Sequence, residues 1–223
     1  MKKLFAITIG LSLLTSAAFA SNAKNTKYSY CEDIRRVDSL LDRSRESLER
    51  LQAEKIEIER IVVSKDRKEL YLISGDTMLR YYPVAFGFSP FGHKQFEGDG
   101  RTPEGLYFID YKNPKSQFTK SIHVSYPNKG DLNFAKSKGK SAGGDIMVHG
   151  LPSDDRKRQL ISKIHPMNWT QGCIAVNNEQ MEEIFALVKT NTLIEICASS
   201  TEPPKRVGAE DSEGDNKITI PAK

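Results

Sequence analysis

The sequence predicts a mostly β domain with few short helices, preceded by an N-terminal amphipathic helix. From residue 60 onward, short apolar runs alternate with turn-forming segments such as SKDRK and SGD, which is typical of successive antiparallel strands. Residues 31–60 differ, because they contain no proline or glycine and their apolar side chains recur at steps of three and four. We therefore expect a helical segment at 21–59 and one β domain at 60–198.

The predicted strands are apolar runs bounded by glycine, proline, asparagine or charged turns. They lie at 61–63, 70–73 and 81–88 and in GLYFIDYK, SIHVSYP, GDIMVHG, GCIAV and TLIEICA. A short amphipathic helix, MEEIFALVK, separates the last two. Residues 199–223 are rich in Pro, Lys, Glu, Asp and Gly, which predicts a disordered tail.

The apolar positions of the N-terminal segment form one stripe of heptad type. They are Ile34, Val37, Leu41, Leu48 and Leu51. Two roles are compatible with such a stripe: packing of the helix on its own domain, or a short seam with a second copy of the chain.

Residues 1–20 have the pattern of a secretory signal peptide. A basic start precedes an apolar run at 4–14, and Ala-Phe-Ala closes the segment as a cleavage site. The run is shorter than the roughly 20 residues that a membrane-spanning helix requires. We expect cleavage, a periplasmic location and no stable membrane insertion of the mature protein.

Charge is spread evenly along the chain. The 33 Lys and Arg residues and 29 Asp and Glu residues are interleaved, and the formal net charge is +4. Nucleic-acid binding usually requires a clustered basic surface, so we expect no nucleic-acid partner.

The chain has three cysteines, an odd number for an oxidising compartment. Either two of them pair and one stays free, or one bonds another molecule. Cys31 and Cys197 lie near the two ends of the folded region and are the candidates for a bridge. Cys173 is expected to stay free.

Cys173 also has the surroundings of a candidate nucleophile. A thiol attacks carbonyl groups as the thiolate, so it needs a lowered pKa and a nearby base, for which His149 and His165 are the nearest histidines in sequence. Gly172 permits a tight turn that would aim a backbone amide at an oxyanion. The alternative is a structural cysteine that is simply buried.

Several blocks, in order and spacing, resemble the YkuD-like L,D-transpeptidase catalytic domain, a family of peptidoglycan enzymes. They are IVVSKDRKELYLISGD, YYPVAFGF, EGDGRTPEGLYFI, SIHVSYPN, GGDIMVHGLP and WTQGCIAVNNEQMEEIFALV. The block GDGRTPEG and the pairing of an upstream His-Gly with a downstream Gly-Cys are the most specific. The resemblance implies the β-sandwich of that family, with few short helices.

The resemblance also implies roles for individual residues. His149 matches the base and Cys173 the nucleophile, with Gly150 and Gly172 beside them. The turn around Arg101 matches a structural turn near the active-site face, and Arg101 itself is a candidate substrate contact. The matched turn residues are Asp99, Gly100, Arg101, Thr102, Pro103 and Gly105.

The nucleophile motif departs from the commonest family pattern. Many members have Ser-His-Gly-Cys followed by an apolar residue and Arg or Asn, whereas residues 170–175 here read TQGCIA. Gln171 cannot act as a base at neutral pH, so catalysis rests on His149. Trp169, Asn177 or Asn178 are the candidates to replace polar contacts that Ala175 cannot make. We expect these departures from the family pattern to change substrate preference more than catalytic activity.

The remaining histidines carry weaker predictions. His165 is either a satisfied surface histidine or a group that orients substrate, and His93 and His123 are expected to be structural. The spacing of His149, His165 and Cys173 matches no compact metal motif, so we expect no metal site and no cofactor.

The function that the resemblance implies is acyl transfer on peptidoglycan stem peptides. Cys173 would form an acyl-enzyme from a tetrapeptide stem and pass it to an amine, giving a cross-link between two third residues or the attachment of an outer-membrane lipoprotein. Such an enzyme acts in cell-wall organisation and cell shape. The alternatives are a hydrolase of the same fold, of endopeptidase or carboxypeptidase type, and a non-catalytic wall-binding protein.

Overall fold

The computed structural model describes residues 29–200. The predicted signal peptide and nearly all of the predicted tail lie outside this range. Within it there are nine strands: β1 Leu41–Asp42, β2 Arg60–Ser64, β3 Glu69–Ser74, β4 Thr77–Pro83, β5 Gly105–Asn113, β6 Ser121–Val124, β7 Met147–His149, β8 Ile174–Ala175 and β9 Leu193–Cys197. The helices of the described range are a 3-10 helix at Ile34–Ser39 and four α-helices, α1 Leu48–Ala53, α2 Lys129–Ser137, α3 Asp155–Ser162 and α4 Asn178–Leu187. The mostly β prediction is confirmed.

The strands form one mixed sheet in the order β1-β4-β3-β2-β9-β5-β6-β7-β8. Strands β2, β3 and β4 are antiparallel neighbours, as predicted. The closing strand β9 instead runs parallel to β2 and antiparallel to β5. Strand β5 therefore joins the two halves of the sheet, because it pairs with β9 on one side and with β6 on the other.

One hydrophobic core connects the two halves of the sheet. Leu72 of the first half and Ile122 and Val148 of the second belong to the same cluster of buried side chains. Strand β2 is buried along its whole length, whereas β5 alternates, with Tyr107 and Ile109 buried between exposed neighbours. The core thus anchors β7 and β8, the short strands next to His149 and Cys173.

The prediction of a single amphipathic helix over residues 31–60 is wrong. The segment contains the 3-10 helix, the short strand β1 paired with β4, and α1. Asp33 and Ser47 explain the interruption, since their side chains accept hydrogen bonds from the amides of Arg35 and Arg50 and so start two separate helices. Most of the apolar side chains still pack on the domain: Val37 contributes to a second, smaller cluster and Leu51 to the main core. Leu41 is the exception, at 64% exposed.

A disulfide links the N-terminal segment to β9. Cys31 and Cys197 are bonded, with their α-carbons 4.8 Å apart, and Cys173 is free, as predicted. The buried carboxylate of Glu195 reinforces this link, because it accepts hydrogen bonds from the amides of Tyr30 and Cys31 at 3.2 Å. It also pairs with Arg60 at 3.0 Å. Within residues 29–200, no helix is long and apolar enough to cross a membrane.

Candidate active site

A cavity of about 470 Å³ opens at the end of β7 and β8. Four of the residues singled out in the sequence line it: His149, Trp169, Gln171 and Cys173. The rest of its wall comes from Lys94, Glu97, Gly98, Phe118, Gly143, Gly144, Asp145, Ile146 and Thr170. The fold therefore brings the candidate base and the candidate nucleophile into one cavity.

The loop that carries Cys173 is shaped by Thr170. The Thr170 hydroxyl donates to the Cys173 carbonyl at 2.6 Å and accepts a hydrogen bond from the Gly172 amide at 3.2 Å. The Thr170 amide in turn donates to the Phe86 carbonyl at 3.1 Å, which fixes the loop to the strand region before it. Thr170 was not among the predicted site residues, although a hydroxyl residue shortly before Gly-Cys is a signal for such a local turn.

Glycines allow the Cys173 loop to pack backbone to backbone against two other segments. Gly172 has a φ of +133°, and a β-carbon at this position would lie 2.6 Å from the Arg101 carbonyl oxygen. A β-carbon at Gly87 would lie 2.0 Å from the carbonyl oxygen of Gly100. The GDGR turn is therefore a support for the nucleophile loop. Arg101 contributes through its backbone, and its side chain is not part of the cavity wall.

His149 is the last residue of β7 and is 3% exposed. Its Nδ1 lies 2.7 Å from the Gly150 carbonyl oxygen, which can only accept a hydrogen bond. Nδ1 therefore carries the proton, and Nε2 is left with the lone pair that a general base needs. Two aromatic rings enclose the imidazole: Phe118 at 4.4 Å between ring centroids and Trp169 at 5.7 Å, edge on.

Burial keeps both reacting groups neutral at neutral pH. It lowers the pKa of His149 to about 4, an effect larger than the opposing hydrogen bond to Gly150. Burial also raises the pKa of Cys173, and the Met147 amide and the Lys94 ammonium offset this only in part. The Cys173 thiol donates to the Asp145 carbonyl, with sulfur and oxygen 3.5 Å apart. The lowered thiol pKa expected from the sequence is thus not present in this structure, because desolvation outweighs the nearby cation.

The sequence model described as the L,D-transpeptidase catalytic domain matches residues 58–196. The chain belongs to the YkuD family. The match covers the described part from just before β2 to β9, with the cavity and both candidate catalytic residues inside it.

A curated relative of this YkuD domain is the Escherichia coli K12 protein YafK, whose name assigns it provisionally to the L,D-transpeptidases. The two are 27% identical over 124 residues, which is 54% of this chain and 42% of YafK. The chain thus spans less than half the length of that relative.

Solved structures similar to the YkuD domain include the helical cell shape determining protein Pgp2 of Campylobacter jejuni. Its identity is 25% and its TM-score 0.47, over 64% of this chain and 48% of that chain. The structure of Bdellovibrio bacteriovorus Bd1075 has 24% identity and a TM-score of 0.43, and the match covers 72% of this chain and 53% of that chain. An L,D-transpeptidase from Mycobacterium smegmatis has 15% identity and a TM-score of 0.40, and the match covers 62% of this chain and 58% of that chain.

Like Arg101, four other predicted contact residues lie outside the cavity wall: Gly150, Gly172, Asn177 and Asn178. Asn177 is the N-cap of α4, and its side-chain oxygen accepts a hydrogen bond from the Gln180 amide at 2.9 Å. Gly150 packs against Asn178, whose side-chain oxygen would lie 2.8 Å from a β-carbon at position 150. Asn178 also accepts a hydrogen bond from the Leu151 amide at 2.8 Å. These residues secure the end of β7 beside His149.

The other histidines of the YkuD domain lie elsewhere. His93 is held by Asp131 at 2.9 Å and accepts a hydrogen bond from the Glu104 amide, and His123 is 2.6 Å from Asp110. His165 is partly buried and outside the cavity wall; burial, and then Lys68, lower its pKa. Within residues 29–200, no three His, Cys, Asp or Glu side chains are grouped as metal ligands.

Proposed function

We propose that this chain is a cysteine L,D-transpeptidase that forms an acyl-enzyme on Cys173 from a peptidoglycan tetrapeptide stem. The observation that carries the proposal is the shared cavity of Cys173 and His149, in which the Nε2 atom of His149 is the free acceptor. A YkuD domain with a free cysteine and a neutral histidine in one cavity has the groups that acyl transfer requires.

The first half of the reaction uses both groups. Nε2 of His149 takes the thiol proton as Cys173 sulfur attacks the carbonyl carbon of the third stem residue. The bond to the terminal D-alanine breaks, His149 returns the proton to the departing amine, and a thioester remains on Cys173. Because the pKa of His149 is lowered to about 4, its protonated form is a strong general acid for this step.

Oxyanion stabilisation falls to the Cys173 amide and to Gln171. The Gly172 amide already donates to the Thr170 hydroxyl, so it is not a free donor for the oxyanion. Gln171 lines the cavity, and its side-chain amide can donate a hydrogen bond. One such donor contributes about 3 to 4 kcal/mol of barrier reduction.

An amine completes the reaction by attacking the thioester. The side-chain amine of a second stem gives a cross-link between two third residues, and a lysine of an outer-membrane lipoprotein gives an anchored lipoprotein. The signal peptide proposed for residues 1–20 places the enzyme in the periplasm, where it would act in cell-wall organisation and cell shape. No metal or organic cofactor takes part.

Muropeptide analysis by mass spectrometry tests the proposal. The protein, with Cys173 in the thiol form and the Cys31–Cys197 bridge intact, and a Cys173→Ala control are incubated with purified tetrapeptide-rich peptidoglycan. New dimers linked through two third residues, absent from the control, are the expected result. Loss of existing links or of anchored protein without new dimers would reassign the chain as a hydrolase.

A second measurement separates enzyme from wall-binding protein. A carbapenem acylates cysteine L,D-transpeptidases, so we expect its mass on Cys173 of the wild type and not on Cys173→Ala. The absence of any adduct on protein with the Cys31–Cys197 bridge intact and Cys173 in the thiol form would contradict a nucleophilic Cys173.

A further inference from the structure

The helix α3 stands on the surface of the domain between His149 and Cys173 in the chain. None of its residues is buried. Three large apolar side chains on this helix and the turn after it are exposed to solvent: Leu160 at 66%, Met167 at 63% and Ile164 at 39%. Large exposed apolar patches mark interaction sites on soluble proteins, and three such side chains between residues 160 and 167 point to an interaction here.

The same helix presents cations beside these apolar groups. Arg156, Lys157 and Lys163 are exposed, and none of them has an ion pair within residues 29–200. Arg156 lies one turn before Leu160 and Lys163 nearly one turn after it, so the three share a face. The remaining cation, Arg158, is turned away, since its guanidinium bonds the carbonyls of Pro152 and Ser153 and pairs with Asp155.

We propose that this α3 face, defined by Arg156, Lys157, Leu160, Lys163, Ile164 and Met167, docks on an anionic lipid surface. Lipid offers both parts of the required chemistry. The apolar tips enter the boundary between headgroups and acyl chains, while the cations meet the phosphate groups. Peptidoglycan also carries negative charge, but it offers no apolar phase for Leu160 and Met167.

Docking through the α3 face also orients the cavity. Met167 precedes Trp169 by two residues, and Trp169 is part of the cavity wall. The α3 face is therefore joined to one wall of the cavity by a short stretch of chain. A domain docked in this way holds its cavity beside the membrane surface, where membrane-bound acceptors are concentrated.

Vesicle co-sedimentation tests the proposal with the purified chain. We expect binding to vesicles of equal parts phosphatidylglycerol and phosphatidylcholine, loss of that binding in high salt, and little binding to phosphatidylcholine alone. The variants Lys157→Glu/Lys163→Glu and Leu160→Asp/Met167→Asp should each lower the partition coefficient about tenfold or more. Leu132→Asp is the control on another helix, because Leu132 is also a large exposed apolar side chain, 50% exposed, on α2.

Fluorescence supplies a second readout in the same samples. Trp169 is the only tryptophan of the chain, so its emission should change with anionic vesicles and be quenched by lipids brominated near the headgroup. Unchanged thermal unfolding of each variant shows that the fold is intact. No difference between anionic and neutral vesicles, or full binding by both double variants, overturns the proposal. Binding to peptidoglycan sacculi that the same variants abolish, with no binding to vesicles, also overturns it.

Discussion

The carbonyl oxygen of Arg101 lies only 2.6 Å from the position that a β-carbon on Gly172 would take. The turn before β5 and the loop of the nucleophile therefore meet through their backbones, without side chains between them. The segment after β4 is hydrogen-bonded to both of them. The Phe88 amide donates to the Thr170 carbonyl of the nucleophile loop at 2.9 Å, and the Ser89 amide donates to the Gly100 carbonyl of the turn at 3.0 Å. The position of Cys173 thus depends on three chain segments at once.

Gly172→Ala is expected to displace Cys173. The substitution places a methyl group against backbone and forces alanine into a φ of +133°, so we expect a stability loss of about 1–3 kcal/mol. The rate of carbapenem acylation should fall at least about tenfold, since a small displacement of a reacting group is costly. Gly144→Ala is the control, because Gly144 lines the same cavity but a β-carbon there would meet no other atom within 4 Å. Equal rates for both variants would contradict the packing argument.

Thr170→Val is expected to slow acylation of Cys173 about 10- to 100-fold. Valine keeps the shape of threonine but removes both hydrogen bonds that the hydroxyl makes to Gly172 and Cys173, each worth about 1 kcal/mol, and leaves the Cys173 carbonyl without this donor. Thr170→Ser retains the hydroxyl and should recover most of the rate. Stopped-flow acylation by a carbapenem measures all three proteins, and failure of serine to rescue would show that the hydroxyl is not the cause.

The pH dependence of acylation should report His149. Only the neutral imidazole can accept the thiol proton, so the rate is lost as pH falls through about 4, the pKa to which burial lowers His149. Phe118→Ser admits water beside the imidazole, and the acid limb should then move upward, toward the ordinary value of 6.5.

The matched control for this pH profile is Phe108→Ser. Phe108 is 48% exposed on β5 and is not part of the cavity wall, so its replacement should leave the acid limb in place. If the pH–rate profile of Phe118→Ser had the same acid limb as the wild type, the Phe118 ring would not determine the protonation of His149.

Acid should destabilise the fold through the same histidine. The unfolded chain binds a proton at His149 below pH 6.5, whereas the folded chain does so only near pH 4. Stability is therefore complete above 6.5 and falls as pH falls toward about 4, with a total loss of about 3 kcal/mol from this group. Urea unfolding at pH 7 and pH 4.5 measures it, and His149→Gln should reduce the difference between the two by about 2 kcal/mol. An unchanged difference in the variant would exclude His149 as the source.

The sequence predicted the features that local patterns encode. The antiparallel unit β2–β4 follows from apolar runs and turn residues, and the Cys31–Cys197 bridge was a candidate because of where the two cysteines lie. The parallel pairing of β9 with β2 was not predicted, because it joins strands that are far apart in the chain. The interrupted N-terminal helix was missed because side-chain capping and pairing with β4 outweigh an apolar period of three and four.

In the candidate active site, too, residues within motifs were predicted, whereas properties that depend on distant contacts were not. Cys173 and His149, which the resemblance to the family paired, line one cavity together with Gln171 and Trp169. The raised pKa of Cys173 depends on burial by many segments, which no motif reveals. Asn177, predicted as a substrate contact, is a helix cap, because an asparagine before an α-helix satisfies amides at its first turn.

The bridge between Cys31 and Cys197 closes a ring of chain with a sequence separation of 166 residues, and the whole catalytic region lies inside it. Closing a loop of that length lowers the conformational entropy of the unfolded chain, which stabilises the folded domain by about 5 kcal/mol. In a reducing compartment the ring stays open and this contribution is missing. The folded domain therefore reaches its full stability only after the disulfide has formed. The redox state of the compartment determines how stable the domain is.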